Sequence, residues 1–184
     1  YGMYTYLTCE QTDADFADKL MKKFSFALDN MQEAMDADAY GSTIKGAYPW
    51  GSNMTIANNG MLYLMMEQLS TKMKLQRGVN LSNAQRQLSY LLGANANSYC
   101  FVTGYGSLSP EHTHHRPSQV LGETMKGMLV GGPDSNLEDP YAKATLKGQP
   151  AAKCYADNEQ SYSCNEVTIY WNSPLIYLLA GIMK

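Results

Sequence analysis

The sequence predicts an all-α chain. Apolar residues recur at helical spacing through the N-terminal half and again over the last residues. No stretch alternates apolar and polar side chains as a half-buried strand would. The periodic runs are joined by connections rich in Gly, Pro and Asn, which indicates an antiparallel helical assembly. At 184 residues, 45% of them hydrophobic and 17% charged, the chain is long enough to bury a sizeable core as one unit.

In the first helix Thr12, with Asp15 three residues on, forms a capping box. Phe16, Leu20, Phe24, Ala27, Leu28, Met31 and Met35 then follow at helical spacing, and the helix is expected to end near Tyr40-Gly41. A second helix follows the turn-rich "GAYPWGSN". Ile56, Gly60 and Leu64, with Ala57, Met61, Met65, Leu69 and Met73, give it a broad apolar face, and "QRGVN" closes it. Ser82 opens a third, with Ala84, Leu88, Leu91 and Leu92 on one side and Gly93 as its C-terminal cap. The methionines fill the core rather than form a ligand set. From Tyr99 to about Cys164 the periodicity stops and Gly, Pro, Ser, Asn and His dominate. Irregular segments this long inside a compact domain are uncommon, and its aromatic residues, its HTHH cluster and its carboxylates mark it as functional. A last helix starts at or just after Glu166, with Val167, Tyr170, Trp171, Leu175, Leu178, Leu179 and Ile182 as its stripe. Pro174 lies inside that stripe, so either the helix breaks there or a separate final helix carries Pro174 in its first turn.

Charge and composition exclude several functions. A net charge of −3 shows neither the basic excess of a phosphate-binding surface nor a self-repelling block, so nucleic acid is not an expected partner. No apolar run approaches the roughly 20 residues that span a bilayer, and the first residues lack a signal-peptide pattern, so no membrane insertion is expected. Fourteen tyrosines and two tryptophans against four phenylalanines weight the aromatic set toward rings with a polar edge, which suit carbohydrate faces. Cys9, Cys100, Cys154 and Cys164 form no CxxC pair, which argues against a thiolate zinc cage, while their even count permits disulfides and an oxidising compartment.

Several side chains in the irregular region carry two readings. Glu166 either complements the N-terminal dipole of the last helix or does chemistry. Asp157 is an active-site carboxylate or a turn residue beside Asn158. His112, His114 and His115 sit where zinc could accept imidazoles, but Arg116 beside them makes a dication unwelcome, and no metal is expected there. Cys154 and Cys164 flank the Asp157 loop and either bridge it or stay as buried thiols. "GGPDSNLEDP" offers Asp134, Asn136, Glu138 and Asp139 as oxygen ligands for calcium, against the plainer reading of a solvated acidic turn.

The stretch "YADNEQSYSCNEVTIYWNS" carries a resemblance. Tyr155, Asp157, Tyr162, Glu166, Thr168, Asn172 and Ser173 meet the run aromatic-x-Asp-x4-aromatic-x3-Glu-x-Thr-x3-Asn-Ser. This resembles the second active-site signature of the family 9 glycoside hydrolases, inverting cellulases built as an (α/α)6 barrel. Upstream, Val102-Thr103-Gly104-Tyr105-Gly106 and His114-His115-Arg116 resemble the family's substrate-binding loop, with departures at Leu108, where the family usually has Asn, Lys or Arg, and at Thr113, where it usually has an apolar residue or Pro. "YPWGSN" and "GMLVGGPDSNLEDPYA" extend the likeness over essentially the whole chain. The resemblance implies that Glu166 is the proton donor, its pKa raised by Tyr162, Tyr170 and Trp171. It implies that Asp157 is a neighbouring or substrate-contacting carboxylate, and that His114, Arg116, Tyr105 and Tyr162 bind substrate.

Family 9 domains are more than twice this length, and their water-activating aspartates lie in a motif resembling Asp-Ala-Gly-Asp-Tyr that this chain lacks; "DADAY" at 36–40 is an echo at a helix end. Residues 1–184 are therefore expected to be the C-terminal portion of one catalytic domain, an arc of four or five barrel helices that supplies the acid and part of the cleft. The implied function is secreted hydrolysis of β-1,4-glucosidic bonds with no required cofactor. Its partners are a β-glucan and the N-terminal part of the same domain. The alternative is a non-catalytic, carbohydrate-binding remnant.

Overall fold

The computed structural model describes residues 1–72 and 78–183. Its helices are α1 (Gly2–Thr8), α2 (Ala14–Ala37), α3 (Ser52–Lys72), α4 (Val79–Leu91), α5 (Arg116–Leu121), α6 (Pro140–Thr145), α7 (Tyr162–Asn165) and α8 (Ile169–Ile182), with a 3₁₀ turn at Ala151–Lys153. Among the described residues extended segments meet only as isolated bridges, so the chain is all-α as expected. Met73, Gln76 and Arg77, expected at the end of the second helix, lie outside the described residues.

α3 is the axis of the fold. It is buried along most of its length and packs on both α4 and α8, and also meets α1 and α2. Its N-terminal Ile56 and Ala57 belong to a core lying under the loops, together with Leu91, Phe101, Leu129, Val130, Cys164 and Leu175. Its C-terminal Met61, Tyr63, Leu64 and Leu69 belong to a second core with Phe24, Leu28 and Met35 of α2 and Leu178 of α8. The close approach of α3 to α8 depends on Gly60, where a Cβ would sit 2.9 Å from Leu178 and 3.1 Å from Gln87. Buried methionines at 35, 61, 65 and 66 act as core filler.

The helices correct the sequence reading in five places. Asp13, not Thr12, caps α2: its carboxylate accepts from Phe16 N at 2.8 Å while its own N–H is held by Tyr6 Oη at 2.9 Å. α4 starts at Val79 instead of Ser82, because Gly78 turns the chain at φ +103. α1 was not expected; it docks through buried Leu7 and a Tyr6–Phe16 edge contact at 5.0 Å. α8 begins at Ile169, three residues beyond Glu166, since Glu166 and Val167 are held extended by their neighbours and Thr168 then caps the helix, accepting from Trp171 N. Pro174 neither breaks α8 nor opens a new helix. The carbonyl of Tyr170, which loses its donor to the proline ring, accepts instead from Ser173 Oγ at 3.4 Å.

The α8 stripe is also narrower than expected. Trp171, Leu175 and Leu178 are buried, but Tyr170 is exposed. Ile169, Ile176 and Met183, seven residues apart and hence on one face, are exposed as well. Beside this face an open apolar groove runs past Met128 and Val167.

Candidate functional site

Residues 99–165 are mostly irregular, as the sequence indicates, and are organised by hydrogen bonds between distant segments. Thr103 N donates to Met128 O at 3.0 Å, Val130 N to Phe101 O at 3.1 Å, and Gly132 N to Cys164 O at 2.8 Å. Gly131 N donates to Glu166 O at 3.0 Å and His114 N to Asn165 O at 2.9 Å. These bonds fix the backbone of Glu166 between residues 130–131 and the His114 segment, with which it forms a parallel bridge. Gly132 sits at φ +88 against Asn53, leaving no room for a side chain where α3 meets this layer.

The Glu166 side chain is half-buried and lines an open cavity of about 420 Å3 with Trp50, Met54, Tyr170 and Trp171. Trp50 comes from the turn ahead of α3, so one wall of the cavity is supplied by "YPWGSN". Trp50 packs on Tyr162 at 5.4 Å between centroids, and Tyr162 meets the His114 ring edge-on at 5.9 Å. The rings around Glu166 are thus Trp50, Tyr170 and Trp171, while Tyr162 links that wall to His114. His114 Nδ1 lies 2.6 Å from Glu159 O; a carbonyl only accepts, so Nδ1 carries the proton and Nε2 remains for another partner.

Asp157 has a defined place. Its Oδ2 accepts from Glu111 N at 2.9 Å, and its Oδ1 accepts from His112 N at 3.0 Å and Asn165 Nδ2 at 2.7 Å. Asn165 is fully buried, donates also to His112 O at 2.6 Å and accepts from Tyr155 Oη at 2.7 Å. Burial, then the charge of Asp157, pushes the Tyr155 phenol well above its ordinary pKa, so it stays a donor. The Asp157–Asn165 pair therefore ties the loop leading to His114 to the residue before Glu166. Asn165, Trp50 and Met54 are absent from the sequence-based candidates. The quoted motifs contained the first two without giving them a role, and no local signal marks Met54.

The remaining candidates lie further out. Arg116 is exposed at the first position of α5, with no ion-pair partner among the described residues. Tyr105 is 59% exposed on the turn after Val102 and makes no ring contact or hydrogen bond to the Glu166 set. His115 Nδ1 pairs with Ser118 Oγ at 2.9 Å, and among the described residues no three His, Cys, Asp or Glu side chains gather to hold a bare metal ion.

The "GGPDSNLEDP" segment is solvated at Asn136 and Glu138 but not at its aspartates. Asp134 and Asp139 are fully buried and hydrogen-bonded. Asp134 accepts from Asn136 N and Glu138 N; Asp139 accepts from Ala142 N at 2.7 Å, Ser161 Oγ at 2.9 Å, and Ser163 N and Oγ at 3.2 and 2.6 Å. Burial alone would raise the Asp139 pKa, but the Ser163, Ala142 and Ser161 donors outweigh it and hold the carboxyl below its ordinary value. Cys154 and Cys164 are not bridged: both are buried thiols, pushed up in pKa by burial, and Cys164 Sγ donates to Cys154 O at 3.4 Å.

A half-buried carboxyl in an aromatic cleft beside an imidazole held in one tautomer can donate a proton to a sugar oxygen. Residues 2–179 match the family profile described as Glycosyl hydrolase family 9. Over 139 residues the chain is 40% identical to a cellodextrinase of Butyrivibrio fibrisolvens, covering 73% of this chain and 24% of that protein. Over 178 residues it is 34% identical to a xyloglucan-specific endo-beta-1,4-glucanase of Bacteroides ovatus, covering 94% of this chain and 29% of the relative. A thermostable endoglucanase of Alicyclobacillus acidocaldarius, solved as a single mutant, superposes with a TM-score of 0.93 at 35% identity, over 100% of this chain and 35% of that one. The chain thus spans about a quarter of the length of the curated relatives it matches. Its helices correspond to a segment of the (α/α)6 barrel of the solved endoglucanases.

Proposed function

The chain belongs to glycosyl hydrolase family 9, and from that premise we propose that it forms the proton-donating wall of a cleft that hydrolyses β-1,4-glucosidic bonds with inversion. The observation that carries this is the placement of Glu166: backbone fixed on two sides, carboxyl in an open cavity walled by Trp50, Tyr170 and Trp171. Such rings accept the apolar faces of sugars, and the carboxyl between them protonates the leaving oxygen. His114, its Nδ1 proton held by Glu159 O, presents Nε2 toward a sugar hydroxyl; Arg116, Tyr162 and Tyr105 extend the binding surface. Asp157 positions the His114 loop, its oxygens engaged by three N–H donors.

Inversion needs a second carboxylate roughly 6.5–9.5 Å from the acid, with a water between them. Asp157 is occupied, Asp38 holds the turn after α2 by accepting from Tyr40 N and Ser42 N, and Asp36 accepts from Gln32 Nε2. The base is therefore assigned to the part of the barrel outside residues 1–184. The exposed α8 face supports that partner: Ile169 at 91%, Ile176 at 65% and Met183 at 83% exposure form an apolar stripe suited to another helix. No bound cofactor is invoked, and a polymeric glucan places the enzyme outside the cell. In the intact enzyme, Glu166→Gln is expected to lower turnover by roughly 10²–10⁴-fold while leaving oligosaccharide affinity within about twofold. Retention of more than about a tenth of the activity removes Glu166 as the acid.

A further inference from the structure

Glu166 stands between α7 and α8 and belongs to neither. On one side its carbonyl accepts from Gly131 N at 3.0 Å, and Val130 pairs with Val167 in a single bridge. Segment 129–131 is therefore the rail on which the backbone of Glu166 rests, and it is tied to the molecule from two directions. Val130 N donates to Phe101 O at 3.1 Å, and Asn53 at the start of α3 donates its N–H to Gly131 O and its Nδ2 to Val130 O, both at 3.0 Å. From α8 comes Asn172, whose Oδ1 accepts from Leu129 N at 2.8 Å while its Nδ2 donates to Thr168 O at 2.8 Å. A backbone N–H only donates and a carbonyl only accepts, so one orientation of the amide satisfies both. Among the described residues this is the one hydrogen bond from α8 to residues 127–131. α8 also carries Tyr170 and Trp171, the rings that share the cavity of Glu166.

We infer that Asn172 is a positioning residue for the proton donor: by locking the rail to α8 it holds the Glu166 carboxyl in register with the rings on that helix. The inference rests on the reading of Glu166 as the acid. Asn172 does not line the cavity of Glu166; it faces the groove on the other side with Met128, Val167 and Ile176, so it acts through the backbone and not on the sugar. A single bridge is a short ladder that opens easily at its end. Leu129 lies next along the rail from Val130, and Asn172 closes the ladder there. The same amide holds the carbonyl of Thr168, the cap of α8 that accepts from Trp171 N at 3.2 Å. Without it, rail and helix move separately. A displacement of about 1 Å in a reacting group can cost on the order of 10²-fold in rate, so proton donation suffers while sugar binding does not.

The test compares two substrates in the intact catalytic domain. A soluble β-1,4-glucan has a sugar hydroxyl as leaving group, which needs a proton; dinitrophenyl β-cellobioside releases a phenolate that does not. Asn172 is half-buried, and its replacement leaves Leu175 and Leu178 of the helical core untouched. Asn172→Ala is expected to lower kcat on the glucan by about 10- to 100-fold with KM within about twofold, and to leave the aryl glycoside within about threefold. Asn172→Asp, which keeps an oxygen facing Leu129 N, is expected to stay within about fivefold of wild type on the glucan. Glu166→Gln shows the same selectivity at larger amplitude. An equal fall on both substrates makes Asn172 a structural residue only and overturns the inference. So does an unchanged kcat on the glucan in Asn172→Ala, or an Asn172→Asp no better than Asn172→Ala. In each of these cases a selective loss in Glu166→Gln leaves the acid standing, whereas a Glu166→Gln that still cleaves the glucan overturns the acid and this inference together.

Discussion

The two cores of the chain are held together by different forces. Where α2, α3 and α8 meet, Met35, Leu69, Leu64 and Leu178 pack side chain on side chain with few polar atoms among them. Under the loops, Phe101, Leu129, Val130 and Cys164 share the interior with Asp134, Asp139, Ser163 and Asn165, all fully buried and all hydrogen-bonded. Burial of apolar surface is non-directional and tolerates adjustment, whereas each buried carboxylate or amide demands a partner at one distance and angle. The helical core therefore supplies stability and the polar one supplies position. Glu166, His114 and Trp50 all stand on the polar side.

This contrast can be broken by mutation. Leu178→Ala in the helical core is expected to cost about 2–5 kcal/mol, lowering Tm by some degrees, with activity per folded molecule unchanged. Calorimetry alongside specific activity checks it. Loss of activity in the folded fraction would mean that the two cores do not act separately.

On the polar side, Asp139→Asn is expected to cost about 1.5–3 kcal/mol at neutral pH, because four donors face the charged carboxylate. The pH dependence has a fixed sign. Asp139 has a folded pKa below its unfolded value, so its contribution is fully present above the unfolded value and is lost as pH falls through the folded one. The gap in Tm between wild type and Asp139→Asn is expected to be constant above about pH 5 and to close in more acidic solution. A gap that widens on acidification contradicts the assignment.

Asp157→Asn separates position from stability more sharply. It disturbs the hold on Glu111 N, His112 N and Asn165 Nδ2, so the intact enzyme is expected to lose about 10- to 100-fold in kcat/KM with Tm nearly unchanged. An equal fall in stability would make Asp157 a structural residue only. The smallest effect is expected for Trp50→Ala: roughly 2- to 10-fold in oligosaccharide affinity, with kcat nearly unchanged, for the loss of one ring surface. Unchanged affinity removes Trp50 from the cleft.

The same contrast explains what the sequence could and could not reveal. α2, α3, α4 and α8 were legible because a stripe such as Phe24, Leu28, Met35 or Leu175, Leu178 announces burial within a few turns of chain. Their ends were less so: Asp13 displaced Thr12 as a cap because Tyr6, packed by a helix not expected, holds its N–H. The loop layer was legible only as irregular. Its conformation rests on bonds such as Tyr48 N to Ser135 Oγ and Asn53 Nδ2 to Val130 O, between residues 87 and 77 positions apart, which no local pattern encodes. Glu166, Asp157 and His114 were visible through the fixed spacing of a resembling signature. Trp50 joins them only through folding, and the work of Asp157 as a clamp, with Asn165 beside it, appears only once its three donors are in place.

The central claim is that this chain holds the acid of the reaction and that its base lies elsewhere in the barrel. Reducing-sugar release from a soluble β-1,4-glucan tests it, measured for residues 1–184 alone, for the same residues joined by the remaining portion of the domain, and for that assembly carrying Glu166→Gln. The account predicts no turnover from residues 1–184 alone, turnover from the assembly, and its loss by roughly 10²–10⁴-fold in the variant. Turnover by residues 1–184 alone that Glu166→Gln abolishes, or an assembly indifferent to Glu166→Gln, would contradict it.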